Sequence, residues 1–200
     1  MPSNHRKLDP RVIRTRKLLR QALIELVPEK GFADLTIQDI TDQATLNRAT
    51  FYLHYTDKND LLLDVFEELV TEGISNPLNQ IENITPDEMT PIIAVFNHIA
   101  EYARFYRTIL GEQGVPLFMS KVRQYIEETV LKWLEKFRPG ILEQQRTIDM
   151  EIFSNYMGAA YLGVITWWLE NDMPYTAEEM AQQLFKLTQQ GVSSLTASNQ

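Results

Sequence analysis

The chain has 200 residues and 44% of them are apolar, a share that supports a packed core and excludes a protein that is disordered throughout. It contains no cysteine, which excludes a disulfide framework, a cysteine-type zinc finger and a thiol nucleophile. The formal net charge of −8 would be unusual for a DNA-binding protein if that charge were spread evenly along the chain.

The charge is in fact unevenly distributed. Residues 1–60 hold ten Lys and Arg against eight Asp and Glu, a balance of +2, whereas residues 61–200 hold nine against nineteen, a balance of −10. The first part therefore predicts a surface that faces a polyanion, with a solvated helix face as the alternative. No apolar segment follows the polar start of the chain, and the longest apolar stretch, Tyr156–Leu169, is too short for a bilayer. We expect a cytoplasmic protein without a membrane partner.

The apolar pattern predicts an all-α chain, because no run of β-branched residues alternates with period two. About nine helices are expected, at residues 10–29, 37–44, 47–54, 57–73, 86–103, 104–111, 116–137, 142–170 and 177–192. Residues 1–56 are expected to form a three-helix unit with a helix-turn-helix. Residues 57–200 are expected to form a larger helical bundle.

Residues 36–58 predict two short helices joined by a tight turn. Phe51 is spaced to face helix one, whereas Arg48 is expected on the exposed side of the second short helix. A helix of this size fits the major groove of DNA, where an arginine can hydrogen-bond the N7 and O6 atoms of guanine together. Lys58 begins the next helix, where its charge and the helix dipole both favour a phosphate.

The same stretch resembles the N-terminal domain of the TetR family of transcriptional regulators. The match is carried by Leu35–Ile40 (LTIQDI) and by Asn47–Tyr55 (NRATFYLHY), followed by Lys58 and Leu61-Leu62. Thr45 stands where the family usually has a glycine in the turn, a position at which glycine tolerates a positive φ.

The resemblance implies phosphate contacts from Thr36, Thr50, Tyr52, His54 and Lys58, and base contacts from Arg48, Gln38 and Ala49. The predicted DNA-binding residues are therefore Thr36, Gln38, Asn47, Arg48, Ala49, Thr50, Tyr52, His54 and Lys58. Two alternatives stay open. In the first, Thr36 caps a helix and does not contact DNA. In the second, Tyr52 and His54 pack on a neighbouring helix and have only a structural role.

The stretch Trp167–Met180 resembles the connection between the last two helices in many members of the family, and in that family these two helices pair with their copies. Residues 57–200 are therefore expected to form a ligand-binding and dimerisation domain. Small residues between 158 and 163 would let two helices approach closely. The predicted dimer interface comprises Ala159, Ala160, Gly163, Trp167, Leu184 and Leu187. An intrachain contact is the alternative for these residues.

The family often binds a small molecule inside this bundle, and aromatic and polar side chains are typical of such pockets. The candidate pocket residues are His98, Tyr102, Tyr106, Tyr125 and Tyr156. Ordinary core or surface packing is the alternative for each of them. The effector itself cannot be identified from the sequence.

These observations predict a sequence-specific DNA-binding regulator, a ligand-responsive repressor that acts as a homodimer on a palindromic double-stranded operator. The alternative is an acidic helical protein that binds a small molecule or a partner and lacks specific DNA binding. An enzyme is not expected, because the chain has no Gly-x-Ser-x-Gly, phosphate-loop or His-Glu-x-x-His motif. With three histidines and no cysteine, neither a metal site nor a cofactor is expected.

Overall fold

The computed structural model describes residues 9–75, 89–112, 114–137 and 149–196, and these residues form nine α-helices and no strand. The expected all-α class is confirmed. The helices are α1 (Pro10–Lys30), α2 (Ile37–Gln43), α3 (Arg48–Tyr52), α4 (Lys58–Val70), α5 (Thr90–Glu101), α6 (Ala103–Leu110), α7 (Pro116–Phe137), α8 (Met150–Glu170) and α9 (Ala177–Thr196).

Most helix boundaries lie within a few residues of the predicted ones. The fourth helix is an exception, because the α-helix ends at Val70 and a π-helical turn, Thr71–Ser75, follows it. Helix α3 is shorter than predicted, with five residues. The predicted helix starts at residues 86 and 142 lie outside the described residues.

Polar side chains fix the starts of the first three helices. The Asp9 carboxylate accepts from the backbone N–H of Arg11 at 2.8 Å, and Pro10 occupies the first helical position, where its missing N–H costs nothing. Thr36 and Asp39 form the capping box of α2. The Asn47 side chain accepts from the backbone N–H of Thr50 at 2.8 Å and begins α3.

The chain divides into two compact units, and the boundary falls between Glu68 and Leu69. The first unit therefore includes most of α4, and the functional boundary expected between residues 56 and 57 stays a prediction. Its core contains apolar side chains from all four helices, and those fully buried include Leu19, Leu23, Ile40, Phe51 and Leu61. In the second unit, Phe96 meets Trp168 and Phe105 meets Phe118 in edge-to-face contacts.

Helices α7 and α8 of the second unit pack closely at Gly158. A Cβ atom added at Gly158 would lie 2.7 Å from Cγ of Glu127, so only glycine fits there without displacing that side chain. The same two helices also share a buried apolar cluster, which consists of Val130, Leu134, Phe153 and Met157. Gly158, one of the small residues expected to permit close approach, thus serves a contact within the chain.

The turn between α2 and α3 keeps the geometry that a glycine would favour. Thr45 has φ +56°, in the left-handed region, and its backbone N–H donates to the carbonyl of Asp42 at 3.1 Å. The next residue, Leu46, donates to the carbonyl of Thr41 at 2.8 Å. The left-handed region costs an L-residue about 1–2 kcal/mol, and a β-branched side chain is unusual there.

We therefore expect Thr45→Gly to raise the free energy of unfolding of the first unit by about 1 kcal/mol, because the strain relieved exceeds the extra backbone entropy of glycine. Thr45→Ala is the matched control and should gain less, since it keeps the Cβ atom. Urea unfolding followed by circular dichroism measures both variants. A loss of stability in Thr45→Gly would contradict strain at this turn.

Candidate nucleic-acid interface

Helix α3 has one buried face and one exposed face. Phe51 is fully buried, and Tyr55, just beyond the helix, is buried beside it with ring centroids 5.7 Å apart. The helical period places positions 48, 49, 52 and 53 together on the opposite side. Arg48, Ala49, Tyr52 and Leu53 are all exposed, and we call these four residues the reading face.

The reading face is ordered by local hydrogen bonds. The Asn47 cap also accepts from the Thr50 hydroxyl at 3.0 Å, so these two predicted residues support the helix start. The Arg48 guanidinium approaches the Tyr52 hydroxyl at 3.4 Å, while the Tyr52 side chain remains 52% exposed. Arg48 therefore projects from α3 with donors free to meet an acceptor. His54 is half-buried next to this face.

Thr36 and Gln38 lie on the exposed part of α2. The Thr36 hydroxyl donates to the Asp39 carboxylate at 2.6 Å and accepts from the Asp39 backbone N–H at 3.1 Å, so it is occupied as a cap. Lys30 and Thr36 together hold the pKa of Asp39 well below its usual value. The Gln38 amide donates to Asp42 at 2.6 Å. Both predicted contacts to DNA stay predictions.

Lys58 has a structural role that the sequence did not reveal. Its ammonium group donates to the backbone carbonyls of Phe32, Ala33 and Leu35 at 2.8, 2.8 and 2.9 Å. An ammonium group has three donors, and these bonds use all of them. Lys58 thereby ties the loop before α2 to the start of α4. A direct phosphate contact, which stays a prediction, would require the exchange of one of these bonds.

A network of charged groups joins α1, α4 and the segment after α3. The Asp64 carboxylate accepts from Arg16 at 2.8 Å, from Arg20 at 3.0 Å and from the buried Tyr55 hydroxyl, and Arg20 also pairs with Glu68. Burial raises the pKa of Tyr55, which stays a neutral donor. We call these five residues the Asp64 network. No local pattern predicts it, because its hydrogen bonds join residues up to 48 positions apart.

All nine predicted DNA-binding residues lie in the first unit, and none of them is buried. The predicted DNA-binding residues did not include Leu53, which is 79% exposed on the reading face. The available signal was its spacing of four from Ala49, which places both on one side of a helix.

Four of the five candidate pocket residues gather in the second unit. The imidazole Nε2 atom of His98 lies 2.9 Å from the Tyr106 hydroxyl, and the Tyr102 ring lies 5.1 Å from that of His98. Burial lowers the pKa of His98 to about 4, and burial, then Tyr102 and Tyr125, raise the pKa of Tyr106. The His98 imidazole and the Tyr106 hydroxyl are thus neutral at pH 7. Tyr156 is 65% exposed on α8 and does not join it.

The π-helical turn brings its backbone against this aromatic cluster. A Cβ atom added at Gly73 would collide with the His98 imidazole, so glycine is required for the observed approach. The predicted ligand role of the cluster stays a prediction.

The predicted dimer residues divide into exposed and buried positions. Ala159, Gly163, Trp167 and Leu187 are exposed, and Ala160 is half-buried. Space is open where a Cβ atom of Gly163 would lie. Leu184 differs, since it is only 4% exposed and packs within its own unit. Leu184 is therefore not available to a second chain. It lies on the side of α9 that faces the core, whereas Leu187 lies on the exposed side of the same helix.

None of the helices in the described ranges is long and apolar enough to cross a membrane. The described residues also contain no cluster of three or more His, Asp or Glu side chains arranged to hold a metal ion.

Two family models match the chain. The model for bacterial regulatory proteins of the tetR family matches residues 19–65, which contain the reading face. A model for the C-terminal region of transcriptional regulators matches residues 87–190, more than half of the chain. The two matches fall on either side of the boundary between the compact units.

Individual relatives agree with these models. The chain is 26% identical to the HTH-type transcriptional regulator YxbF of Bacillus subtilis over 186 residues, which cover 90% of this chain and 46% of the relative. It therefore spans about half the length of this curated relative. It is 22% identical to the fatty acid metabolism regulator protein of the same organism, over 86% of this chain and 92% of the relative.

Solved structures share the fold. The FadR regulator of Bacillus subtilis in complex with stearoyl-CoA superposes with a TM-score of 0.63 at 17% identity, over 89% of this chain and 98% of that chain. The two family models, which match both units, decide the classification. The chain belongs to the TetR family of transcriptional regulators.

Proposed function

We propose that the protein is a homodimeric, ligand-responsive repressor that binds a palindromic DNA operator through the reading face of α3. The observation that carries this proposal is the two-sided packing of α3. Phe51 anchors one side in the core, and the other side presents Arg48 and Tyr52 to solvent from a helix short enough to enter the major groove.

A single copy of α3 spans five residues and can read few base pairs. Two copies related by a twofold axis would read two half-sites about 34 Å apart, or a multiple of that distance. The exposed apolar side chains of α8 and α9 support such pairing. Three of them lie at helical spacing on α8 and one lies on α9; the set is Ile152, Tyr156, Trp167 and Leu187.

The aromatic cluster around His98 is the proposed effector site. Its His98 imidazole and Tyr106 hydroxyl are neutral at pH 7 and share a hydrogen bond, a character that suits an apolar ligand with a neutral polar group. The relatives named for fatty acid metabolism make long-chain acyl-CoA thioesters the first class to test. An effector relieves repression only if it binds the non-operator state of the protein more tightly.

Arg48→Ala tests the DNA-binding proposal. We expect the variant to lose about 10- to 100-fold in affinity for a duplex selected from a random pool, the value of a bidentate arginine–guanine contact, and to keep its affinity for scrambled duplex. Fluorescence anisotropy measures both affinities at several salt concentrations. Equal losses on both duplexes would remove Arg48 from base reading. A wild-type affinity that does not fall with salt would contradict phosphate binding and favour the acidic binding-protein alternative.

Tyr156→Glu tests the proposed dimer interface. We expect sedimentation to change from two chains to one, because a charge would be buried against its own copy at the twofold axis. Leu117→Glu, which adds the same charge at an exposed position of α7, is the control and should leave two chains. A wild-type protein that sediments as a single chain at micromolar concentration would overturn the homodimer.

A further inference from the structure

Leu53 is the most exposed large apolar side chain in the described part of the chain, at 79%. It ends α3 with backbone angles φ −73° and ψ −18°, and Phe51, two residues earlier, is fully buried in the core. Because α3 cannot rotate without exposing Phe51, Leu53 is held outward. A single exposed leucine needs no explanation by itself, so its surroundings decide what it can contact.

Those surroundings favour a polyanion. The chain has 27 acidic residues, yet none occurs between Asp42 and Asp57, the segment that contains all of α3. Within the reading face, Leu53 lies one helical turn beyond Ala49 and directly follows Tyr52, and all four residues of this face are exposed. Leu53 is therefore continuous with the surface proposed above to enter the major groove.

We propose that Leu53 is a specificity-determining residue that packs against the C5-methyl group of a thymine in each operator half-site. This inference rests on the proposed function. Among the four bases, thymine alone presents an apolar group at the major-groove edge. Against any other base the leucine side chain would cover donors or acceptors and give no hydrogen bond in return, which costs affinity.

The spacing along α3 also places the Leu53 contact at a different base pair from the contacts at the start of the helix. Ala49 and Leu53 are four residues apart, so they lie about 6 Å from each other along the helix axis. Stacked base pairs are about 3.4 Å apart, so a helix that lies along the groove brings the two side chains to different base pairs, about one to two steps apart. Leu53 thus adds a base position that Arg48 and Ala49 do not read.

Replacement of single thymines by deoxyuridine tests the contact directly, since it removes only the methyl group. The full-length protein first selects a consensus duplex from a random pool, and each thymine of that duplex is then replaced in turn. For the wild-type protein we expect one replacement in each half-site to weaken binding about fourfold, the value of one buried methyl group. Leu53→Ala removes the contact in both half-sites, so it should bind the unmodified duplex about 15-fold more weakly, and it should lose no further affinity upon that replacement.

Three controls separate recognition from folding and from charge. Leu18→Ala alters a partly exposed leucine on α1 and should keep the wild-type pattern of deoxyuridine effects. Leu53→Met keeps an apolar side chain and should restore most of the affinity. The thermal midpoint and the salt dependence of Leu53→Ala should equal those of the wild type, because an exposed apolar contact adds neither core packing nor ion release.

Two results would overturn the inference while leaving the proposed function in place. One is a consensus without a thymine in each half-site, and the other is an identical pattern of deoxyuridine effects in wild type and Leu53→Ala. A wild-type protein that does not distinguish its selected duplex from a scrambled one overturns the proposed function, and this inference with it.

Discussion

Replacing Phe51 with alanine is expected to lower the free energy of unfolding of the first unit by about 3–5 kcal/mol. Phe51 is fully buried and meets both Tyr52 and Tyr55 with ring centroids 5.5 and 5.7 Å apart. Removing such a side chain costs its transfer free energy and leaves a cavity that the surroundings fill only in part. Urea unfolding followed by circular dichroism measures the loss.

Tyr52→Ala is the matched comparison, because it removes an aromatic ring from the exposed side of the same helix. We expect it to change stability by less than about 1 kcal/mol and to weaken DNA binding strongly. Phe51→Ala should weaken DNA binding only as far as it unfolds the unit. If Phe51→Ala were tolerated within about 1 kcal/mol, α3 would not be held by its buried face, and the fixed orientation of the reading face would have no physical basis.

Replacing Asp64 with alanine is expected to cost about 2–3 kcal/mol. The change leaves the two guanidinium groups of Arg16 and Arg20 and the buried Tyr55 hydroxyl without their shared acceptor. Breaking a buried ion pair typically costs about 3–5 kcal/mol, and the smaller value here reflects partial exposure, since the Asp64 side chain is 14% exposed and that of Arg16 is 34% exposed. Chemical denaturation again measures the loss.

Glu67→Ala provides the control for Asp64, because it removes the same charge from an exposed position of the same helix. We expect its effect to stay within about 0.5 kcal/mol, the usual range for a surface charge. An equally small effect of Asp64→Ala would mean that the network contributes no more than a surface ion pair. A large effect would identify the Asp64 network as the contact that holds the end of α3 on α1 and α4.

Local sequence patterns were enough to predict much of the structure of the first unit. The spacing of Leu19 and Leu23 predicts the buried side of α1, and both are fully buried. Cap residues mark the starts of α2 and α3, because a cap acts through hydrogen bonds to residues two or three positions away. The exposed side of α3 follows from the same short-range periodicity.

Those patterns did not predict which groups the individual side chains contact. Lys58 looked like a phosphate contact and is occupied by three carbonyl groups that lie 23 to 26 positions earlier in the chain. Tyr156 looked like a pocket residue and faces solvent, whereas Leu184 looked like an interface residue and lies in the core. Each difference depends on which side of a helix meets a distant one.

The sequence by itself determined the helical class and the position of the reading helix, because periodicity and capping act over a few residues. Only the tertiary structure decided the burial of Leu184, the exposure of Tyr156 and the contact between Arg16 and Asp64, 48 positions apart. Such contacts are set by how helices pack against each other, and that packing depends on side chains that no local window of the chain contains together.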